Sequence, residues 1–181
     1  IQREEFTSWG IKTTEDPRMP ALDRVGAVFT RNVEGHEQAK LRMLNGAHST
    51  LAYLGLACGY ESVACAMADP WLCGFIDDLM REEIAPSLSP PEGLDLDTYR
   101  GTLIERFTNP GIVHNLSQIA WDGSKKLPIR LLATMHDNLE GGRSIRRLAV
   151  GVAAWRRFLV RQAGAGTPII DPMGDELSKL S

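Results

Sequence analysis

Cysteine is scarce in this chain: Cys58, Cys65 and Cys73 are the only three in 181 residues. An odd number without Cys-x-x-Cys spacing builds neither a disulfide framework nor a thiolate metal knuckle. The three read as small buried thiols of a protein kept in a reducing, cytoplasmic compartment. Long apolar runs are missing as well, and none reaches the roughly 18–20 residues that a membrane-spanning helix needs. No G-x-G-x-x-G string occurs in these residues, so they carry no glycine signature for a dinucleotide pyrophosphate. Nor is there an excess of positive charge. The net charge of −3 favours neither nucleic acid nor an anionic membrane as partner. No His, Cys or carboxylate cluster has zinc-ligand spacing, so the expected chemistry uses no metal.

What remains is an ordinary globular composition, 43% hydrophobic and 24% charged, enough for one domain with a sizeable core. Its organising stretch is residues 38–60, read as one helix. At about 100° per residue, Lys40, Asn45 and His48 fall near 0°, 140° and 80°, on one broad face. Around and beyond them stand Gly46, Ala47, Ser49, Ala52, Gly55, Ala57 and Gly59, small residues that admit a second backbone or a ligand. A buried lysine can exchange a proton near neutrality, an amide can hold an oxyanion, and an imidazole can orient either. Spacing alone favours the plainer reading of a solvated lysine, a local cap and a core histidine.

The rest reads as mainly helical. Two short strands are expected at residues 6–11 and 25–29, separated by the helix-barring 15–20. Residues 61–67 form a short helix. Pro70 then opens a helix over 71–84, with Leu72, Phe75, Ile76 and Leu79 inward and Asp77, Asp78, Arg81 and Glu82 on a solvated face. Residues 86–93 are a loop, and Asp97 caps a helix running to Phe107. A short helix over 114–121 and a turn at 122–124 follow. Pro128 opens the next helix, to about Leu139. The helix over 144–162 carries an apolar stripe (Ile145, Leu148, Val152, Trp155, Leu159) and six flanking arginines read as solvated. A last helix starts at Asp171.

Two strings point to a family. Lys40-Leu41-Arg42-Met43-Leu44-Asn45-Gly46-Ala47-His48-Ser49 closely resembles the K-L-R-x-L-N-G-[SA]-H-S signature of the polyol-specific long-chain dehydrogenases, which include mannitol 2-dehydrogenases and fructuronate reductases (mannonate oxidoreductases). Residues 109–130 resemble that family's N-P-x-x-x-H-x-x-x-Q-I-A-x-D-G-S-x-K-L-P-x-R block. Arg106-Phe107 and Asp171-Pro172-Met173 extend the likeness over nearly the whole chain.

The resemblance implies the multi-helical C-terminal domain of a two-domain dehydrogenase, with a small strand pair near its N-terminus. Residues 1–35 would close a nucleotide-binding domain and form the interdomain seam, with Trp9 a candidate to line it. Residues 36–181 would be the helical substrate domain, cut short of a final helix. A chain without an initiating Met fits a piece of a longer enzyme, inactive alone. Lys40 would be the acid–base, Asn45 would hold the substrate oxygen and His48 would position the substrate. Lys126, Gln118 and His114 would bind the sugar. The cofactor would be NAD, with NADP as the alternative, supplied by the upstream domain. The substrate would be mannonate/fructuronate, with mannitol/fructose as the rival. A more distant reading is a helical interaction module that has lost catalysis, against which Lys40, Asn45 and His48 all stand.

Overall fold

The computed structural model describes residues 9–13 and 20–179. Expectations for residues 6–8, 15–19 and 180, and for the Trp9 side chain, fall outside them. The expected strand pair is present as β1 (Trp9–Lys12) and β2 (Ala27–Thr30), which run parallel with Trp9 opposite Ala27 and Lys12 opposite Thr30. Val25, expected in the second strand, instead ends a short 3₁₀ turn (Leu22–Val25) and is exposed. Everything after β2 is helix and connection, as the mainly α reading requires.

The central helix begins earlier than the sequence suggests. Asn32 accepts a hydrogen bond from the Gly35 amide and caps α1 (Val33–Ala39). The chain continues without a break through a π-helical segment (Lys40–Gly46) into α2 (Ala47–Cys58). Gly59 stops it in the left-handed conformation, at φ 87°, which only glycine adopts freely. Met43, Leu51, Ala52 and Tyr53 are almost wholly buried along this helix. It is wrapped on several sides. Gly55 makes room for Leu116, and a Cβ at Gly151 would lie 2.8 Å from Thr50 Oγ1. The small residues are therefore close-approach positions for neighbouring helices.

Ser62 caps α3 (Val63–Met67), and Asp69 caps α4 (Pro70–Asp78) with Pro70 in its first turn. A second π segment (Leu79–Ile84) continues α4. The charges of this stretch face outward, as expected, and are paired there. Asp77 pairs with Arg100, and Arg81 with Asp78. Arg147 reaches both Asp78 (3.1 Å) and Glu82 (2.6 Å). Glu83, wholly buried, was given no role by periodicity. Its carboxylate accepts hydrogen bonds from the Ser144 hydroxyl and the Arg147 and Leu148 amides.

The cap of α5 (Leu96–Thr108) is Asp95, not Asp97, because the side chain two residues earlier reaches the Thr98 amide at 2.7 Å. The short helix after it is tighter than expected, α6 (Leu116–Ile119), and leaves His114 outside it. Pro128 does not open the following helix. Asp122 adopts φ 57° and starts α7 (Gly123–Leu127), which runs through a third π segment (Pro128–Leu132) into α8 (Ala133–Glu140). A proline has no amide to donate, so its place inside a helix is tolerated where the bonding register is already shifted. The long α9 (Arg146–Gly164) packs against α2 and buries Leu148, Gly151, Ala154 and Leu159. The last helix is the short α10 (Gly174–Leu177). Cys58 and Cys65 are exposed and only Cys73 is half-buried, so the thiols are not the core residues expected. Among the described residues no helix is long and apolar enough to cross a membrane.

Candidate active site

The Lys40–Gly46 segment changes the geometry that an α-helix would give. In α register Lys40 and Asn45 lie about 140° apart. A π turn bonds residue i to i+5, so two residues five apart stand one above the other. Lys40 and Asn45 therefore share an edge of the helix, and His48 follows one α turn after Asn45. Lys40 is exposed, and its ammonium has neither an ion pair nor a side-chain hydrogen bond among the described residues. The expected burial of Lys40 is thus not supplied by this chain. Asn45 and His48 are half-buried.

His48 is held from two sides. Its ring stacks on Phe107, with centroids 5.0 Å apart and planes 7° from parallel. His114 meets it edge-on at 5.7 Å. The fold thus brings His114, from the loop before α6, to the central helix. Phe107, at the end of α5, escaped notice as a site residue. Its only signal was its place beside Arg106 in the resembling string.

Lys126 and Gln118 belong to a second group, around α6 and α7. The Lys126 ammonium donates to the Trp121 carbonyl at 2.6 Å and the Ile119 carbonyl at 3.4 Å, with the Asp122 carboxylate 3.9 Å away. Burial and then the neighbouring Arg130 charge hold its pKa below the ordinary lysine value. Gln118 lies exposed on α6, its carbonyl accepting from the Trp121 amide at 3.4 Å. Nearby, Asp171 takes both the Ser124 amide and hydroxyl, and the Tyr53 hydroxyl donates to the Ala120 carbonyl at 3.1 Å.

Arg130 links the two groups, and sequence reasoning gave it no role although it closes the second string. Its Nη1 donates to the Ser49 hydroxyl at 2.9 Å, next to His48. Its backbone also touches the central helix, because a Cβ on Gly46 would lie 3.0 Å from the Arg130 carbonyl oxygen. Elsewhere, the one group of metal-ligand type among the described residues is His136, Asp137 and Glu140 on the surface of α8. Asp137 there is paired with Arg42 at 2.6 Å.

A lysine, an amide and a histidine along one helix edge, beside a cationic second group, form a surface suited to a polyhydroxylated ligand. Residues 32–181 match the family model described as the mannitol dehydrogenase C-terminal domain. The chain belongs to that family. It is 46% identical to D-mannonate oxidoreductase of Escherichia coli (strain K12), over all of this chain and 38% of that protein. To mannitol 2-dehydrogenase of Aspergillus fumigatus it is 36% identical, over 98% of this chain and 36% of the relative. The structure of Pseudomonas fluorescens mannitol 2-dehydrogenase, a ternary complex with NAD and D-mannitol, superposes with a TM-score of 0.81 at 35% identity. That match covers 90% of this chain and 33% of the other. The chain thus spans little more than a third of the length of these relatives.

Proposed function

We propose that this chain is the substrate-binding domain of an NAD(P)-dependent dehydrogenase that interconverts a sugar alcohol or aldonate with its ketose form. The observation that carries the reading is the edge formed by Lys40, Asn45 and His48 across the π segment. Lys40 takes the alcohol proton as hydride leaves the carbinol carbon for the nicotinamide, and returns it in ketose reduction. Asn45 donates to the substrate oxygen as charge develops there. His48, fixed by Phe107 and His114, receives a hydroxyl of the acyclic chain. Gln118 and Lys126 bind further along it.

The division of labour follows. Residues 1–35 belong to the seam with a nucleotide-binding domain, and residues 36–181 form the substrate domain. The second domain supplies the burial that Lys40 lacks here. A free lysine titrates near 10.4, so its desolvation on closure is what makes it a base near neutrality. The proton transfer needs no metal, since the amine itself is the base. Between substrates, the mannonate/fructuronate pair is favoured over mannitol/fructose by the greater identity to the D-mannonate oxidoreductase. NAD is favoured as cofactor by the complex of the Pseudomonas fluorescens enzyme, with NADP the alternative.

Lys40→Ala in the full-length enzyme tests this. The expected result is a fall in kcat for alcohol oxidation of roughly a hundredfold or more, with a smaller change in KM and a flattened basic limb of the pH profile. Oxidation within a few-fold of the parent would make Lys40 an ordinary surface lysine.

A further inference from the structure

We infer that Arg130 is a positioning residue for Asn45 and His48, an inference that rests on the dehydrogenase reading above. In this role it touches no substrate and acts through the central helix. Asn45 and His48 are three residues apart. The residues directly after them, Gly46 and Ser49, form the next such pair, about 100° further round the helix. Arg130 meets both members of that second pair. A Cβ on Gly46 would lie 3.0 Å from the Arg130 carbonyl oxygen. The Arg130 Nη1 donates to the Ser49 hydroxyl at 2.9 Å.

The Gly46 contact sets how deeply the Pro128–Leu132 segment packs on the central helix. It falls where the π register of Lys40–Gly46 gives way to α2, next to the turn that brings Asn45 onto the edge of Lys40. The Ser49 contact fixes a hydroxyl inside the helix. A serine there otherwise turns back to the carbonyl four residues earlier, here that of Asn45, and bends the helix. Ser49 is buried, and its hydroxyl is engaged by Arg130 instead. The span from Asn45 to His48 is thereby kept straight.

Arg130 is committed to this contact. Its guanidinium is half-buried, and the bond to Ser49 is the one side-chain hydrogen bond it makes among the described residues. Its Nε is closed to solvent and has no acceptor. The planar guanidinium is stiff, so packing around it holds Nη1 in one place. Such a role does not depend on what the substrate carries at its far end. It applies to an aldonate and to a neutral polyol alike.

The test uses the full-length enzyme, with kcat and KM measured for mannonate and for mannitol well below each variant's Tm. Parent, Arg130→Met, Ser49→Ala and the double variant are compared. Arg130→Met is expected to lower kcat about tenfold or more on any substrate the parent turns over, with KM changed less than about threefold. Ser49→Ala removes the hydroxyl that would turn back, so the double variant is expected to recover at least about threefold of that loss. A merely structural pair would instead lose more with each substitution. A smaller fall in kcat, a loss carried by KM, or a double variant without that recovery would overturn the role of Arg130 while leaving the dehydrogenase reading intact. A parent inactive on both substrates would overturn that reading and this inference with it. Should Arg130→Met not fold, Arg130→Lys, which keeps the stem and charge but stops one atom short of Ser49, is read by the same criteria.

Discussion

Asp171 ties the segment after α9 to the start of α7. Its carboxylate accepts the Ser124 amide at 2.8 Å and the Met173 amide at 2.9 Å, as well as the Ser124 hydroxyl. Burial works against this carboxylate, but those hydrogen bonds outweigh it and hold its pKa below the ordinary value. A carboxyl group with a depressed folded pKa contributes stability that is fully present above its unfolded value. That contribution is lost as pH falls through the folded value. Thermal melts of the parent and Asp171→Asn should therefore differ at neutral pH and converge in acid, below the ordinary carboxylate range. A gap that stays constant from pH 7 to pH 3 would show that the charge of Asp171 does not matter. Gly123 is fixed by the same corner. A Cβ there would run into the Trp155 indole nitrogen and lie 2.9 Å from the Tyr53 hydroxyl.

Among the elements, α9 depends most on a distant partner. The first amides of a helix need acceptors, and those of Arg147 and Leu148 find them in Glu83, from the π segment after α4. The same residue's carbonyl accepts from the Asn138 side chain at 2.7 Å, so α4, α8 and α9 meet at one buried acid. Removing it leaves buried donors unmet, a loss of about 1–3 kcal/mol each way the site can relax. Glu83→Ala is expected to destabilise the domain by roughly 2–3 kcal/mol, read by urea or thermal unfolding. A shift below about 0.5 kcal/mol would mean that water replaces the cap. A helix cap is local, with donor and acceptor two or three residues apart, so the sequence came close with Asp97 and missed the true cap Asp95 by two positions. Glu83 is illegible for the opposite reason, since its partners are over sixty residues on. The π segments hide for another: over five to seven residues an i+5 register differs too little from an α-helix to disturb the apolar pattern. The candidates Lys40, Asn45 and His48 could be named from the resembling string, whereas the stacking of Phe107 on His48 and the bond from Arg130 to Ser49 are facts of packing. The paired state of Asp77, Asp78 and Glu82 was likewise out of reach, because their arginine partners sit on α5 and α9.

At the scale of the whole molecule, the electrostatics of the helix ends argue that these residues do not hold the dinucleotide. A pyrophosphate is bound where a glycine-rich loop leads from a strand into an uncapped helix N-terminus. The long helices here have their N-terminal amides taken by carboxylates: Asp69 on α4, Asp95 on α5 and Glu83 on α9. Each carboxylate also repels a second anion. The central helix, α1 through α2, begins with an Asn32 cap and Glu34 in its first turn. The strands β1 and β2 are four residues each and meet no glycine string. The helical core is nonetheless closed around Met43, Leu51, Leu72, Leu79, Leu103 and Leu131, all fully buried, which is enough to fold without the cofactor. The 181-residue chain is therefore expected to unfold cooperatively and to give no saturable signal when NADH is titrated through the micromolar range against its tryptophan fluorescence. The tryptophans are well placed to report, since Trp121 and Trp155 line one groove beside α6 and α9. Saturable micromolar binding would move the nucleotide site into this chain and overturn the division at residue 35, because no capped helix end could then be the reason for its absence.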